Sequence, residues 1–311
     1  MLKKKATKTM FNFLLKIIDR KKYQILKSQK KDEQTQEIYF KKIIPKIKEI
    51  QTILKNKNHI SFLHSGHLGD IINSLPVIKE ISKFKKCSLY IEINKKINDP
   101  RAITNHPGND IFLSKNAVNK LIPLLNKQSY ISSVEFFNSN KIDIDLNFFR
   151  EMPINFNIDS VRWYSHLVGL HPNLKDAYIE NIPEIEKYNS EIVIMRSLRR
   201  QNPLINFNFL NSYKNVLFVG LENEYEDLNK SIKNLKFYDC KDFFELASII
   251  KSSKIFIGNL SFGFALAEAL KVPRLLESRP DFPLVYPNGE KAFEFYFQEH
   301  FEELFKKLYS N

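Results

Sequence analysis

Glycine, cysteine and tryptophan are scarce in this 311-residue chain, at 8, 2 and 1 residues. The two cysteines, Cys87 and Cys240, lie far apart and match no metal or redox spacing. They exclude a disulfide framework and a cysteine-built zinc site, and read as reduced, buried thiols. No apolar run reaches the roughly 18 residues a transmembrane helix requires. A secretory leader is not expected either, because Lys16 and Asp19 break the first apolar stretch and no small-residue cleavage site follows. No repeat of about 20–50 residues is visible. With an apolar content of 43%, the chain has material for an ample core, and its length suits two ordinary domains.

Charge is unevenly placed. Residues 1–58 hold 17 Lys/Arg against 5 Asp/Glu, whereas the rest of the chain holds 31 against 30. The basic character therefore belongs to an N-terminal extension, and the high isoelectric point gives no reason to expect nucleic acid on the main body. Within the extension, Met10, Phe13, Leu14, Ile17 and Ile18 fall at helical spacing, as do Ile43, Ile44, Ile47, Ile50 and Leu54, with Pro45 near the start of the second stripe. Lys27–Gln36 reads as a polar linker between them. Such basic amphipathic helices either dock on the protein's own body or lie on an anionic membrane surface.

With so few glycines, their positions carry information. Gly66, Gly69, Gly220, Gly258 and Gly263 each fall where a predicted strand gives way to a loop. His59–Leu63 reads as a strand, followed by a loop holding His64, Ser65, Gly66, His67 and Gly69, then a helix over Ile71–Phe84 with Asp70 at its mouth. Ile255–Ile257 reads as a second such strand. Its loop carries Gly258, Asn259, Ser261, Phe262 and Gly263, and a helix runs on to about Lys271. Further strands are expected at Ser88–Ile93, Ile142–Leu146, Ile192–Met195, Val216–Val219, Leu235–Tyr238 and Arg274–Leu276. Helices are expected near Trp163–Leu170, Glu222–Lys233 and Asp242–Lys251, with a closing helix in Glu290–Tyr309. Short strands alternating with helices imply an α/β fold with parallel sheets. Ligands in such folds sit at the carboxyl ends of strands, where helix N-termini offer free N–H groups. The boundaries expected are a basic helical extension over 1–58, a first Rossmann-like domain over 59–175 and a second over 176–311.

Three segments in order carry a family resemblance. LGDIINSLP (68–76), VLFVGLENEYEDL (216–228) and FIGNLSFGFALAEALKVP (256–273) resemble the bacterial glycosyltransferases of the heptosyltransferase family, and more closely their short, divergent relatives. The resemblance covers roughly residues 59–310. It implies two Rossmann-like domains facing across a cleft, the glycosyltransferase B-type arrangement. It also implies metal-independent, inverting transfer from a nucleotide-sugar held mostly by the second domain to a glycan or lipid-linked acceptor. No cofactor is implied. Asp70 matches the family's base, and the basic residue after the second domain's first strand corresponds to Arg196, Arg199 or Arg200, with Ser197 beside them. The chain departs from the family in the last loop: its acid, glycine and histidine are here Leu260, Phe262 and Ala265. The implied location is the cytoplasm, with peripheral attachment to the inner membrane face as an option.

Each residue has a second reading. Asp70 can take a proton from an attacking hydroxyl or simply N-cap the helix from Ile71. The arginines of MRSLRR suit diphosphate oxygens or make an exposed basic turn. The Ser261–Gly263 turn offers N–H groups to phosphate or only starts a helix. Glu268 holds a sugar hydroxyl or faces solvent. His64 and His67 hydrogen-bond a ligand or sit as ordinary loop histidines, too few for a metal site. Arg101–Asp110 covers an acceptor or only connects, and Trp163 with Tyr164 stacks on a sugar or fills the core. Beyond a transferase, the sequence leaves open a non-catalytic binding module on the same fold and a sugar-nucleotide epimerase.

Overall fold

The computed structural model describes residues 15–98, 106–151, 159–189, 191–280 and 285–310. The chain divides into two compact units, one of residues 1–49 with 151–154, the other of 50–150 with 155–311. Part of the first apolar stripe and of the Arg101–Asp110 loop lies outside the described residues.

In the first unit, α1 spans Arg20–Ile38 and a wide helical turn spans Tyr39–Ile43. The polar linker expected at Lys27–Gln36 is therefore helical. Its Lys, Gln and Glu residues are good helix formers, and no residue of α1 is buried, so it lacks the apolar stripe that would have marked it. Asp19 caps α1 by accepting from Lys22 N–H at 2.9 Å, and the Glu37–Lys41 pair supports its end at 2.6 Å. Helix α2, Ile44–Asn56, crosses into the second unit.

The second unit holds two wholly parallel sheets. The first is built from β1 (His59–His64), β2 (Lys86–Ile91), β3 (Ser133–Phe136) and β4 (Ile144–Asp145), in the order β3-β2-β1-β4. Between them run α3 (Leu68–Ser82) and α4 (Lys115–Leu125), with α5 (Ser160–Val168) following. The second sheet comprises β5 (Ile192–Met195), β6 (Val216–Val219), β7 (Lys236–Tyr238), β8 (Ile255–Asn259), β9 (Arg274–Glu277) and β10 (Ala292–Phe295). Its order is β10-β9-β8-β5-β6-β7, the doubly wound pattern. Helices α6 (Glu222–Asn229), α7 (Phe243–Ser252), α8 (Phe262–Leu270) and α9 (Gln298–Tyr309) complete it. The closing segment is thus a strand plus a helix, since Ala292–Phe295 adds an edge to the sheet beside β9.

The elements follow from their residues. Strands β6, β8 and β9 are buried at every position; β6 and the first three residues of β8 read as continuous apolar runs, as doubly covered parallel strands do, whereas β9 carries the buried Arg274 and Glu277 at its ends. Helix α9 buries Phe301, Leu304, Phe305 and Leu308 on one stripe, each worth about 1.5–3 kcal/mol. Phe301 stacks on Phe295 of β10 with ring centroids 4.0 Å apart, which ties the last strand to the last helix. Helix α5 ends at Gly169 with φ 70°, a left-handed cap that suits glycine. Cys87 and Cys240 are free thiols, the first buried and the second half-buried, and burial raises each to about 12.

Each sheet changes winding direction at one place. In the first, β1 lies between β2 and β4; in the second, β5 lies between β6 and β8. The loops leaving β1, β4, β5 and β8 therefore border the two crevices that such sheets open at their carboxyl ends.

Candidate functional site

The loop after β1 begins with His64, which is buried. Its Nδ1 accepts from Gly66 N–H at 3.0 Å, so the neutral ring carries its proton on Nε2 and donates to Tyr164 Oη at 3.0 Å. Burial drives the His64 pKa down to about 3, with Arg150 adding to the effect and Asp70 opposing it. Ser65 N–H donates to Asn147 Oδ1 at 2.9 Å, pinning this loop to the one after β4.

Helix α3 starts at Leu68, three residues earlier than the sequence implied, with His67 as N-cap. Asp70 therefore sits in the first turn, and its Oδ2 accepts from His67 N–H at 3.0 Å in the manner of a capping-box acid. Arg150 Nη2 donates to the same Oδ2. Among the described residues nothing donates to Asp70 Oδ1. Burial would raise the Asp70 carboxyl, but Arg150, His67 and His64 beside it hold it below the usual carboxylate value. Arg150 is fixed in turn, its guanidinium lying 4.8 Å from the Phe112 ring centre and 4.6 Å from that of Phe149. Gly66 makes room for the pair: a Cβ there would meet Arg150 Nη2 at 2.6 Å and Asp70 Oδ2 at 2.9 Å.

The loop after β5 carries MRSLRR. Arg196 is buried and forks onto Glu277 at 2.6 and 2.7 Å, with Phe207 4.8 Å from its guanidinium. Glu277 also accepts from Asn202 N–H at 2.6 Å. This makes Arg196 a buried scaffold pair and not an exposed diphosphate ligand. Ser197 N–H donates to Asn259 Oδ1 at 2.9 Å, and Asn259 Nδ2 donates to Ser197 O at 2.7 Å, locking the ends of β5 and β8 together. Arg199 is half-buried and close enough to feel both Asp70 and Glu224, which oppose the lowering of its pKa by burial. Burial raises the Glu224 carboxyl, opposed by Leu221, Ser197 and Arg199. Gly220, at φ 151°, lets the end of β6 pass Glu224 Oε2 at 3.3 Å from where a Cβ would stand.

Helix α8 starts after Ser261, whose Oγ is buried with no hydrogen-bond partner among the described residues. Gly258 and Gly263 serve packing. A Cβ on Gly258 would lie 2.8 Å from the Phe256 ring, and one on Gly263 would run into the Met195 side chain. Phe262 packs on Phe243 with centroids 4.5 Å apart. Glu268 is buried and bound to Arg274 Nε at 2.6 Å, to Lys271 Nζ and to Asn288 N–H at 3.1 Å. The solvent-facing and sugar-holding readings of Glu268 both give way to this network.

The two switch points meet. A Cβ on Gly69 would lie 3.8 Å from Ala265 Cβ and 3.9 Å from Phe262 Cα. The first turns of α3 and α8 thus touch, and Arg199 is near enough for Asp70 to act on its charge.

Among solved structures, this chain is similar to the dodecameric, iron-containing heptosyltransferase TibC of enterotoxigenic Escherichia coli in complex with ADP-heptose. The TM-score is 0.51 at 13% identity, covering 77% of this chain and 62% of TibC. The likeness is one of fold, two parallel α/β sheets with their covering helices. Similarity is also found to a glycosyltransferase family 9 protein of Veillonella parvula, with TM-score 0.46, 15% identity, and 81% and 89% of the two chains covered. The E. coli heptosyltransferase WaaC follows with TM-score 0.44, 10% identity, and 76% and 92% covered. No protein-family model and no curated protein sequence matches the chain.

On this fold the predicted residues separate. Asp70, His67, Gly66, Gly69, Arg199 and Ser261 gather where α3 and α8 begin. Ser65, Arg196, Ser197, Gly258, Asn259, Gly263 and Glu268 are engaged in internal hydrogen bonds, ion pairs or packing. Trp163 and Tyr164 are core, the latter through its bond to His64. The sequence reading missed Arg150. Its signal was the run KIDIDLNFFR, which ends on an arginine six residues past Ile144, but only the strand order reveals that β4 flanks the switch point. His106, at the described end of the Gly/Pro/Asn loop, joins His67. Among the described residues no group of three His, Cys, Asp or Glu side chains converges as a metal site, and no helix is long and apolar enough to cross a membrane.

Proposed function

We propose that this chain is a metal-independent, inverting glycosyltransferase moving a sugar from a nucleotide-sugar to a hydroxyl acceptor, with Asp70 as base. The observation that carries the reading is that both contacts to Asp70 fall on Oδ2. Oδ1 is left for a substrate hydroxyl, on a first turn of α3 that touches the start of α8 and whose charge Arg199 feels. An acceptor O–H beside Oδ1 gives its proton to Asp70 as its oxygen bonds to the anomeric carbon. The anomeric bond to the diphosphate breaks on the opposite face, and the leaving charge is met by Arg199 and the free N–H groups of α8. The likeness to TibC supports this at the level of fold, and its bound ADP-heptose makes a nucleotide-sugar the first donor class to try.

One observation favours a second reading, a non-catalytic binding module. Where the resembled family has an acid, a glycine and a histidine, Leu260 is buried, Phe262 packs on Phe243, and Ala265 fills the space against Gly69. Calorimetry or thermal-shift screening against UDP-, GDP-, ADP- and CMP-sugars separates the two. For a transferase, one donor binds, and Asp70→Asn retains binding while abolishing transfer. Binding with no turnover in the wild type supports the module, and donor consumed without acceptor points to an epimerase.

We further propose that the basic N-terminal segment rests on an anionic membrane surface, where a lipid-linked acceptor would be found. Ile17, Ile18, Ile25, Tyr39 and Phe40 are exposed there among lysines. Replacing Lys21, Lys22, Lys27, Lys30 and Lys31 with Glu should abolish co-sedimentation with phosphatidylserine vesicles. If the wild type does not sediment with them at about 0.15 M salt, the attachment is wrong.

A further inference from the structure

His67 and His106 come from different loops and meet ring to ring, with His106 Nε2 3.0 Å from His67 Nδ1. Which atom donates is decided elsewhere. Gly108 N–H donates to His106 Nδ1 at 3.0 Å. An N–H can only donate, so that nitrogen carries no proton, and the neutral His106 ring must carry its proton on Nε2. His106 Nε2–H therefore donates to His67 Nδ1, and the neutral His67 ring is left with its proton on Nε2.

The relay is built with little slack. A Cβ on Gly108 would stand 2.7 Å from Ile111 O and 3.1–3.2 Å from the His106 ring. Only glycine brings its N–H to His106 without displacing that ring. On its other side His67 meets Phe112 edge-on, with centroids 4.8 Å apart, and Phe112 also carries the Arg150 guanidinium. His67 is thus held by the same aromatic ring as the partner of Asp70. The charged and titratable groups around it are Asp70, Arg150, Arg199, His64 and His106.

We infer that His106 is a positioning residue: it fixes the tautomer of His67 so that His67 Nε2–H is a permanent hydrogen-bond donor to a substrate oxygen seated beside Asp70. The inference rests on the transferase reading of Asp70. It divides the labour at the loop, with Asp70 as the proton acceptor and His67 as a donor that does not compete for the proton. A protonated His67 would set two N–H groups against each other across the 3.0 Å contact. The arrangement therefore keeps the pair neutral, in keeping with burial driving His67 to about 3 and His106 to about 4.

The test uses the full-length protein without ligand, labelled selectively at histidine, and reads the ring tautomers by nitrogen NMR near pH 7. The expected result is one His67 tautomer with its proton on Nε2, its loss in His106→Ala, and its return in His106→Gln, whose amide can donate in place of Nε2–H. A wild-type His67 protonated on Nδ1, or a tautomer unmoved in His106→Ala, overturns the inference. With a donor found by the nucleotide-sugar screen, His106→Ala should lower kcat about tenfold at unchanged KM, the size of one misdirected hydrogen bond, and His106→Gln should recover it. Unchanged kcat overturns the substrate role. If the tautomer is fixed as expected but no nucleotide-sugar binds, the transferase reading fails, and with it the substrate half of this inference.

Discussion

Arg150 and Asp70, eighty residues apart, form a half-buried ion pair on one carboxylate oxygen, the oxygen that also accepts from the N-cap of α3. Cap and ion pair thus share Oδ2, so the structural and catalytic readings of Asp70 no longer exclude each other.

Removing Arg150 should show in the pH dependence of turnover. In the folded chain Asp70 lies below its ordinary value, so the charged form is present at neutral pH and is lost only as pH falls through that lowered value. Arg150→Ala leaves burial, which raises the pKa, with less to oppose it. The acid limb of the kcat profile should move to higher pH, since the arginine beside the aspartate favours its charged form. A limb that stays where it was would remove Arg150 from the site.

The two arginines of MRSLRR should fail differently. Arg196→Met leaves Glu277 charged and buried without its partner, which costs about 3–5 kcal/mol of stability. Arg199→Ala should instead weaken nucleotide-sugar binding about tenfold or more, with a much smaller change in urea midpoint. Equal stability losses in the two variants would contradict the separation of scaffold from site.

Gly263 faces the Met195 side chain at the junction of β5 and α8. Gly263→Ala should destabilise the fold by about 1–3 kcal/mol through overpacking. Adding Met195→Ala should return part of that loss, a non-additivity readable in a double-mutant cycle of unfolding free energies. Additive losses would mean that the contact is not what demands glycine.

Asp159 N-caps α5 from a buried position, and burial, with Glu268 nearby, raises it to about 6. In the unfolded chain it titrates near about 3.9. Between those values the folded chain holds a proton that the unfolded chain has lost, so stability falls as pH rises through that window and stays reduced above it. Asp159→Asn keeps a cap without the charge. It should gain about 2 kcal/mol near pH 8 and nothing near pH 4, as measured by urea unfolding at each pH. A gain of equal size at both would point to packing and not to charge.

What could be read from the chain alone was local. Buried strands such as Val216–Val219 and Ile255–Ile257 announce themselves as apolar runs, and glycines follow them, so most strands of both sheets and the loops after β1 and β8 were legible, whereas Ser133–Phe136 was not. Helix α1 was not, because a helix with no buried face leaves no apolar period. Helix α4 carries a clear stripe of Val118, Leu121, Leu124 and Leu125, but it lies in a region whose strands are too short to frame it. β10 was hidden inside a segment whose aromatic residues suit helix and strand equally. At the site, composition could nominate Asp70, His67 and Arg199 but could not say which cations remain available. That Arg196 is consumed by Glu277, that Arg150 arrives from β4, and that His106 sets the proton on His67 all depend on contacts between distant segments. Side-chain chemistry is written in the sequence, whereas the partner that directs it is chosen by strand order and packing, and these belong to the folded chain as a whole.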